Sequence, residues 1–360
     1  MAGFDNDPRW GELGGILVNH STNVQRGDRV MIAMGEVGSF PLARAVFEAV
    51  IKAGGFPQIQ FLSETTRHSI LEFGSPEQLA WVPEIEAYGM EWADVYIALR
   101  GGFDISIHDA IPAATLAVNQ AAQGKVSALR WQNTRWTLVR VPDEHFAAQA
   151  GCTVEELTEM FFRACLLDWS TAVSEWQSWA DTLVDAETVR ITGYETDLSF
   201  SVKGRKWLAS PGEINIPDGE IMTAPVTGTE HGYITFENPA VLGGRLVRDL
   251  RLEWSHGTLV SATSSTEQEF LRTILATDAG ATAIGEFAIG TNPYVDRFSN
   301  DILLDEKIGG TCHIALGRAY PECGGTNVSA IHWDIVKDIR SVGNVQVDGR
   351  TVVEHGQYSF

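Results

Sequence analysis

The spacing of apolar and polar positions changes character midway along the chain. In the first half, continuous apolar runs alternate with stretches of helical period. Arg29-Val30-Met31-Ile32-Ala33-Met34 reads as a strand and is followed by a turn at Gly35 to Gly38. Leu42, Val46, Ala49, Val50 and Ala53 then recur on one helix face until Gly54-Gly55 stops it. Gln58 to Leu62 is the next strand, and Asp94 to Leu99 adds another before Gly101-Gly102. This alternation predicts an open α/β domain with a largely parallel sheet. Thr153 and Glu156 have the spacing of a capping box, and the helical stretch they open runs to about Asp185 with Trp169, Trp176 and Trp179 as a packing stripe.

From Thr188 the period shortens to that of half-buried strands separated by Gly, Pro, Asn and Asp, as in Val189 to Thr192, Ser199 to Lys203 and Tyr233 to Phe236. One helix, from about Ser265 to Thr277, interrupts this half, and Val345 to Val353 closes it as a hairpin around Asp348-Gly349. The expected organisation is an N-terminal α/β domain over residues 1–186 and a C-terminal mixed α+β, β-rich domain over residues 187–360.

Composition narrows the classes. With 44% hydrophobic residues in 360, the chain has core material for both domains. A formal charge of −21 repels polyanions, so nucleic acid is not an expected partner. No run approaches the roughly 18 apolar residues of a spanning helix, and the start, MAGFDNDPRW, lacks the order of a signal peptide. A cytoplasmic protein with no membrane partner is expected. Cys152, Cys165, Cys312 and Cys323 form no C-x-x-C pair and read as reduced thiols.

Candidate chemistry appears where charged residues interrupt apolar strands. In Ile331-His332-Trp333-Asp334-Ile335, alternation sends His332 and Asp334 to one face and the apolar residues to the other. Burying an imidazole and a carboxylate together calls for a compensating charge, commonly a divalent cation. Glu286 is the lone charge in Ala283 to Ile289, His313 sits in the apolar run Thr311 to Leu316, and Glu306 lies in Leu303-Leu304-Asp305-Glu306-Lys307. Singly, these read as an edge-strand acid facing water, a hydrogen-bonded core histidine and a solvated loop charge. Together, three carboxylates and two neutral imidazoles set −3 against the +4 of two divalent cations, with a bridging hydroxide completing the balance. Oxygen and nitrogen ligands without thiolate suit Zn, Co or Mn.

Gly285-Glu286, Asp305-Glu306, His313-Ile314-Ala315-Leu316-Gly317, Tyr320 and His332-Trp333-Asp334, in this order, resemble the M29 family of metallo-aminopeptidases, also called the aminopeptidase T group. Asn215-Ile216-Pro217-Asp218-Gly219-Glu220 is similar to a further segment of that family, and the likeness spans nearly the whole chain. The resemblance implies that the C-terminal domain is catalytic. It implies metal ligation by Glu286, Glu306, His313, His332 and Asp334, with Tyr320 ligating or stabilising the transition state and Glu306 as proton shuttle or ligand. It further implies a homodimer that releases N-terminal residues from short peptides by means of a metal-activated water.

The chain also looks, more distantly, like 2,5-dihydroxypyridine 5,6-dioxygenases, which hold one Fe(II). On that alternative Glu286, His332 and Asp334 hold the iron and a dihydroxypyridine-like aromatic is cleaved. A third reading, an inactive relative serving as a binding module, would show lost ligands. Gly35-Glu36-Val37-Gly38 is a tight β-α turn rather than a phosphate loop, while His231 and Arg318 are further polar candidates for a substrate cleft.

Overall fold

The first apolar runs become the strands of one parallel sheet in the computed structural model, which describes residues 7–360. Its order is Phe56–Leu62, Arg29–Gly35, Val95–Arg100, Arg135–Arg140 and Asn215–Ile216. Val30 to Met34 are buried without alternation, as in a strand covered on both faces. Helix Phe40–Ala53 buries Leu42, Ala43, Val46 and Val50 and ends at Gly54, whose φ of 86° is the left-handed stop that glycine accepts without strain. Among the described residues the outer strand, Phe56–Leu62, has no partner beyond it in the sheet, and Phe56 and Phe61 are exposed.

By its internal contacts the chain divides into two units. One runs to Leu166 and takes in Gly212–Ile216; the other comprises Leu167–Pro211 and Pro217–Phe360. The long helical stretch is two helices, Val154–Cys165 and Trp169–Asp181. Thr153 and Glu156 form the expected capping box. Asp168 breaks the run because its carboxylate accepts from Thr171 N–H at 3.2 Å, starting a new helix. The second helix is counted with the first domain in the 1–186 division, yet it belongs to the second unit. Trp179 packs its ring 4.7 Å from Tyr358 and 5.1 Å from Phe360, so the tryptophan stripe is tied to the end of the chain.

The second unit is built on antiparallel sheets. An eight-stranded sheet runs from Thr258–Thr263 at one edge, through Thr196–Ser201 and Thr188–Gly193, to Gln357–Tyr358. A five-stranded sheet has the order His332–Lys337, Cys312–Gly317, Ile284–Gly290, Glu220–Thr223 and Leu208–Ala209. Phe287 of this sheet meets Phe200 of the larger one at 5.5 Å and Trp207 edge-on at 6.0 Å. The interrupting helix is Gln268–Leu275, shorter than its periodicity predicts because Glu267 sits at φ 56°. The closing hairpin pairs Gly343–Val347 with Arg350–Glu354, and both turn residues, Asp348 and Gly349, have positive φ as a tight hairpin turn requires. Among the described residues no helix is long and apolar enough to cross a membrane.

Candidate metal centre

Register in the five-stranded sheet assembles the site. Glu286 lies opposite Ala315, which lies opposite Asp334; Ala288 is opposite His313, Gly317 opposite His332, and Gly290 opposite Glu220. Opposed residues share a face, so Glu220, Glu286, His313, His332 and Asp334 project together. The positions between them include Ala288, Gly290, Ala315 and Gly317. On the reverse face Trp333, Ile335, Phe287, Ile289 and Ile314 are buried as core. A bulge at Gly285 turns Ile284 to that apolar face while Glu286 stays on the polar one. A side chain at Gly285 would meet the Gly317 carbonyl oxygen at 2.3 Å, so glycine is required there.

The separations are those of ligands around a shared centre. His332 Nε2 lies 3.2 Å from Glu286 Oε2 and 3.3 Å from Asp334 Oδ1. His313 Nε2 lies 3.5 Å from Glu220 Oε2 and 3.6 Å from Glu286 Oε1. Among the described residues, three groups of potential ligand atoms each lie within 4.8 Å of one another: Glu220, Glu286 and His313; Glu286, His332 and Asp334; and Glu306, His313 and Asp334. Glu286, His313 and Asp334 each belong to two groups. Glu220 Oε2, His332 Nε2 and Asp334 Oδ1 are buried without a hydrogen-bond partner. Buried polar atoms left in that state are costly, and a cation ligated by them removes the cost. The donor set therefore fits a divalent metal.

His332 is oriented from behind, for its Nδ1–H donates to the Arg318 carbonyl at 2.8 Å and leaves Nε2 as the ligand nitrogen. Arg318 thus serves through its backbone, and its residue is exposed. Tyr320 sets its ring edge-on to His332 at 4.9 Å, and burial, followed by the acids Glu286 and Asp334, pushes its hydroxyl pKa upward, keeping it a proton donor. Glu306 enters from outside the sheet, at the end of the helical turn Ile302–Asp305. Asp305 pins that turn by accepting from Ser299 N–H and Oγ–H, both at 2.7 Å. Burial raises Glu306 to about 8 and outweighs the opposing field of Lys307. Burial disfavours the charged forms of Glu286 and His313. Their close approach to each other and the neighbouring charges prevail, taking Glu286 down to about 2 and His313 up to about 9.

The plain readings of Glu286 and Glu306 fail here. Glu286 is 3% exposed in a central strand and Glu306 is 9% exposed, so neither is a solvated charge. The cluster also contains acids that the sequence reading passed over. Glu220 is buried, and Lys307 beside it contacts Glu220, Glu306 and Asp218 at 2.7, 2.8 and 3.2 Å. The signal for Glu220 is weaker than that for Glu286: it precedes only the short apolar pair Ile221-Met222, with Asp218 two residues before it. His231 is exposed, pairs its ring with His256 at 5.1 Å, and takes no part in the three ligand groups.

Fold and site together define a two-domain α/β metalloenzyme with a carboxylate-rich centre in its β-rich unit. The family model described as thermophilic metalloprotease (M29) matches residues 7–358, and the chain belongs to that family. Aminopeptidase T of Thermus thermophilus is 25% identical over 393 residues, covering 94% of this chain and 95% of its own. The solved structure of wild-type AmpT from Thermus thermophilus superposes with a TM-score of 0.86 at 22% identity, covering 98% of this chain and 99% of that one. A 2,5-dihydroxypyridine dioxygenase from Pseudomonas putida shares the fold more loosely, with a TM-score of 0.59 at 15% identity over 97% of this chain and 96% of its own.

Proposed function

We propose that this M29 metallo-aminopeptidase removes N-terminal residues from short peptides at a centre of two divalent cations, Zn, Co or Mn. The supporting observation is the pair of ligand groups that meet at Glu286, with His313 and Glu220 on one side and His332 and Asp334 on the other. The five residues of these two groups offer more donors than a single ion would take and would hold two cations. Glu220 joins Glu286, Glu306, His313, His332 and Asp334 in the ligand set on this reading. Bound there, the cations supply a water of lowered pKa and polarise the substrate carbonyl.

The protein's own groups do the rest. Glu306, as an alternative to ligation, takes the proton of the attacking water and passes it to the leaving amine. Tyr320, its hydroxyl kept protonated, donates to the oxygen on which charge develops. His332 is held in one tautomer by the Arg318 carbonyl. The homodimer implied by the family resemblance forms part of this proposal, and light scattering tests it.

The group of Glu286, His332 and Asp334 is also a complete single-metal site and favours the dioxygenase as second reading. Metal analysis of the purified protein with aminoacyl anilide assays, with and without chelator, separates the two. About two Zn, Co or Mn per chain with chelator-sensitive release supports the peptidase. One oxygen-sensitive iron without release of the anilide sinks it.

A further inference from the structure

Lys307 is 1% exposed, and fully buried lysines are rare unless paired. Its ammonium lies 2.7 Å from Glu220 Oε1, 2.8 Å from Glu306 Oε1 and 3.2 Å from Asp218 Oδ1. An ammonium has three N–H donors and no acceptor; one N–H donates to Glu220 Oε1, and Glu306 and Asp218 each bring one oxygen within ion-pair distance. Two of the contacts are reinforced from the side away from the ligands: Ser210 Oγ–H donates to Glu220 Oε1 at 3.1 Å, and Gly219 N–H to Asp218 Oδ1 at 2.9 Å. The second oxygen of Glu220, Oε2, accepts no hydrogen bond and lies 3.5 Å from His313 Nε2. One oxygen of this carboxylate is thus committed to Lys307 and the other to the site.

Glu220 and Glu306 belong to different ligand groups that share His313, so one ammonium braces an acid in each. Formal charge points the same way. Asp218, Glu220, Glu286, Glu306 and Asp334 are five carboxylates, and the Lys307 ammonium leaves four negative charges, the number two divalent cations neutralise.

We propose that Lys307 is a positioning residue of the metal centre, one that holds a single oxygen of Glu220 and of Glu306 so that each presents only the other to a cation. The proposal rests on the two-cation reading above. Single-oxygen ligation suits cations of low coordination number such as Zn2+, whereas carboxylates free to chelate with both oxygens suit Ca2+, which takes six to eight oxygen ligands. Lys307 thereby biases the site against large oxygen-seeking cations.

The test is calorimetric titration of the metal-stripped full-length protein with Zn2+ and, separately, with Ca2+, in wild type, Lys307→Met and Asp218→Asn. Circular dichroism and thermal melting of the stripped proteins monitor folding. In Lys307→Met the ratio of Zn2+ to Ca2+ affinity should fall about ten- to a hundredfold, the scale of removing a group that orients metal ligands. Asp218→Asn, which loosens the ammonium from behind, should shift the ratio in the same direction by less. An unchanged ratio in Lys307→Met alongside a lowered melting temperature overturns the proposal and leaves Lys307 a structural ion. Should Lys307→Met fail to fold, Asp218→Asn decides, and an unchanged ratio there overturns it equally. Fewer than two Zn2+ bound by wild type would count against the two-cation reading instead, and the ratio comparison still decides the role of Lys307 for the cation that binds.

Discussion

Replacing Glu220 by Gln separates a metal ligand from a structural acid, because the two roles predict opposite signs in two states of the protein. Glutamine keeps the shape and an oxygen able to accept from Lys307 and Ser210, which contact Oε1 at 2.7 and 3.1 Å. It removes the charge of a carboxylate whose other oxygen, Oε2, is buried without a partner. In the metal-free protein that charge is unfavourable, since burial raises the Glu220 pKa against the lowering fields of Lys307 and His313. Stripped Glu220→Gln should therefore melt no lower than stripped wild type. With metal present the order reverses. Loss of an outer partner of a ligand costs about ten- to a hundredfold in metal affinity, so loss of a ligand should exceed about 3 kcal/mol at about 1.4 kcal/mol per decade. Scanning fluorimetry with and without chelator, and metal content after dialysis, read both effects. Equal falls in melting temperature in both states, or wild-type metal content in the variant, would refute the assignment.

Other expectations follow from the same geometry. Tyr320→Phe should lower kcat by about a hundred- to a thousandfold with little change in KM or metal content, the scale of losing one oxyanion donor; steady-state kinetics with metal analysis checks it. Glu306→Gln should abolish turnover with metal content near that of wild type if the residue shuttles the proton, and loss of one cation would reassign it as a ligand. Phe287→Ala deletes a fully buried ring packed on Phe200 and Trp207, and should destabilise by about 3–5 kcal/mol in denaturant titrations. Asp94 is lowered to about 2 by Arg29, first through its side chain and then through its backbone N–H. A carboxylate depressed in the folded state stabilises fully above its unfolded value of 3.8 and loses that contribution as the pH falls through about 2. Asp94→Asn should accordingly lower urea stability at pH 6, with the difference from wild type shrinking steadily below pH 4.

Much of the architecture follows from short-range pattern. The strand Arg29–Gly35, the helix Phe40–Ala53 with its glycine stop and the Asp348-Gly349 hairpin each depend on neighbours in the chain. So does the capping box of Thr153 and Glu156, and all are legible for that reason. Where a local signal competes with another, legibility fails. The helical period runs on through Leu166 to Asp168, but Asp168 caps a new helix, and Trp179 at its far end packs against Tyr358.

The site divides the same way. His332 and Asp334 sit two apart on one strand, and Glu286 and His313 are single polar residues in apolar strands, so the sequence alone marks them as costly to bury and in need of compensation. It also determines the family, through motifs whose order survives at low overall identity. Which residues meet is a matter of strand pairing. Only the register of Glu220–Thr223 against Ile284–Gly290 brings Glu220 to the ligand face. Only the turn after Asp305 folds Lys307 into the acids Asp218, Glu220 and Glu306. A lysine beside a glutamate in sequence reads as a solvated pair; burial among three carboxylates is a property of the tertiary structure, because contacts between residues almost ninety positions apart leave no trace in local periodicity.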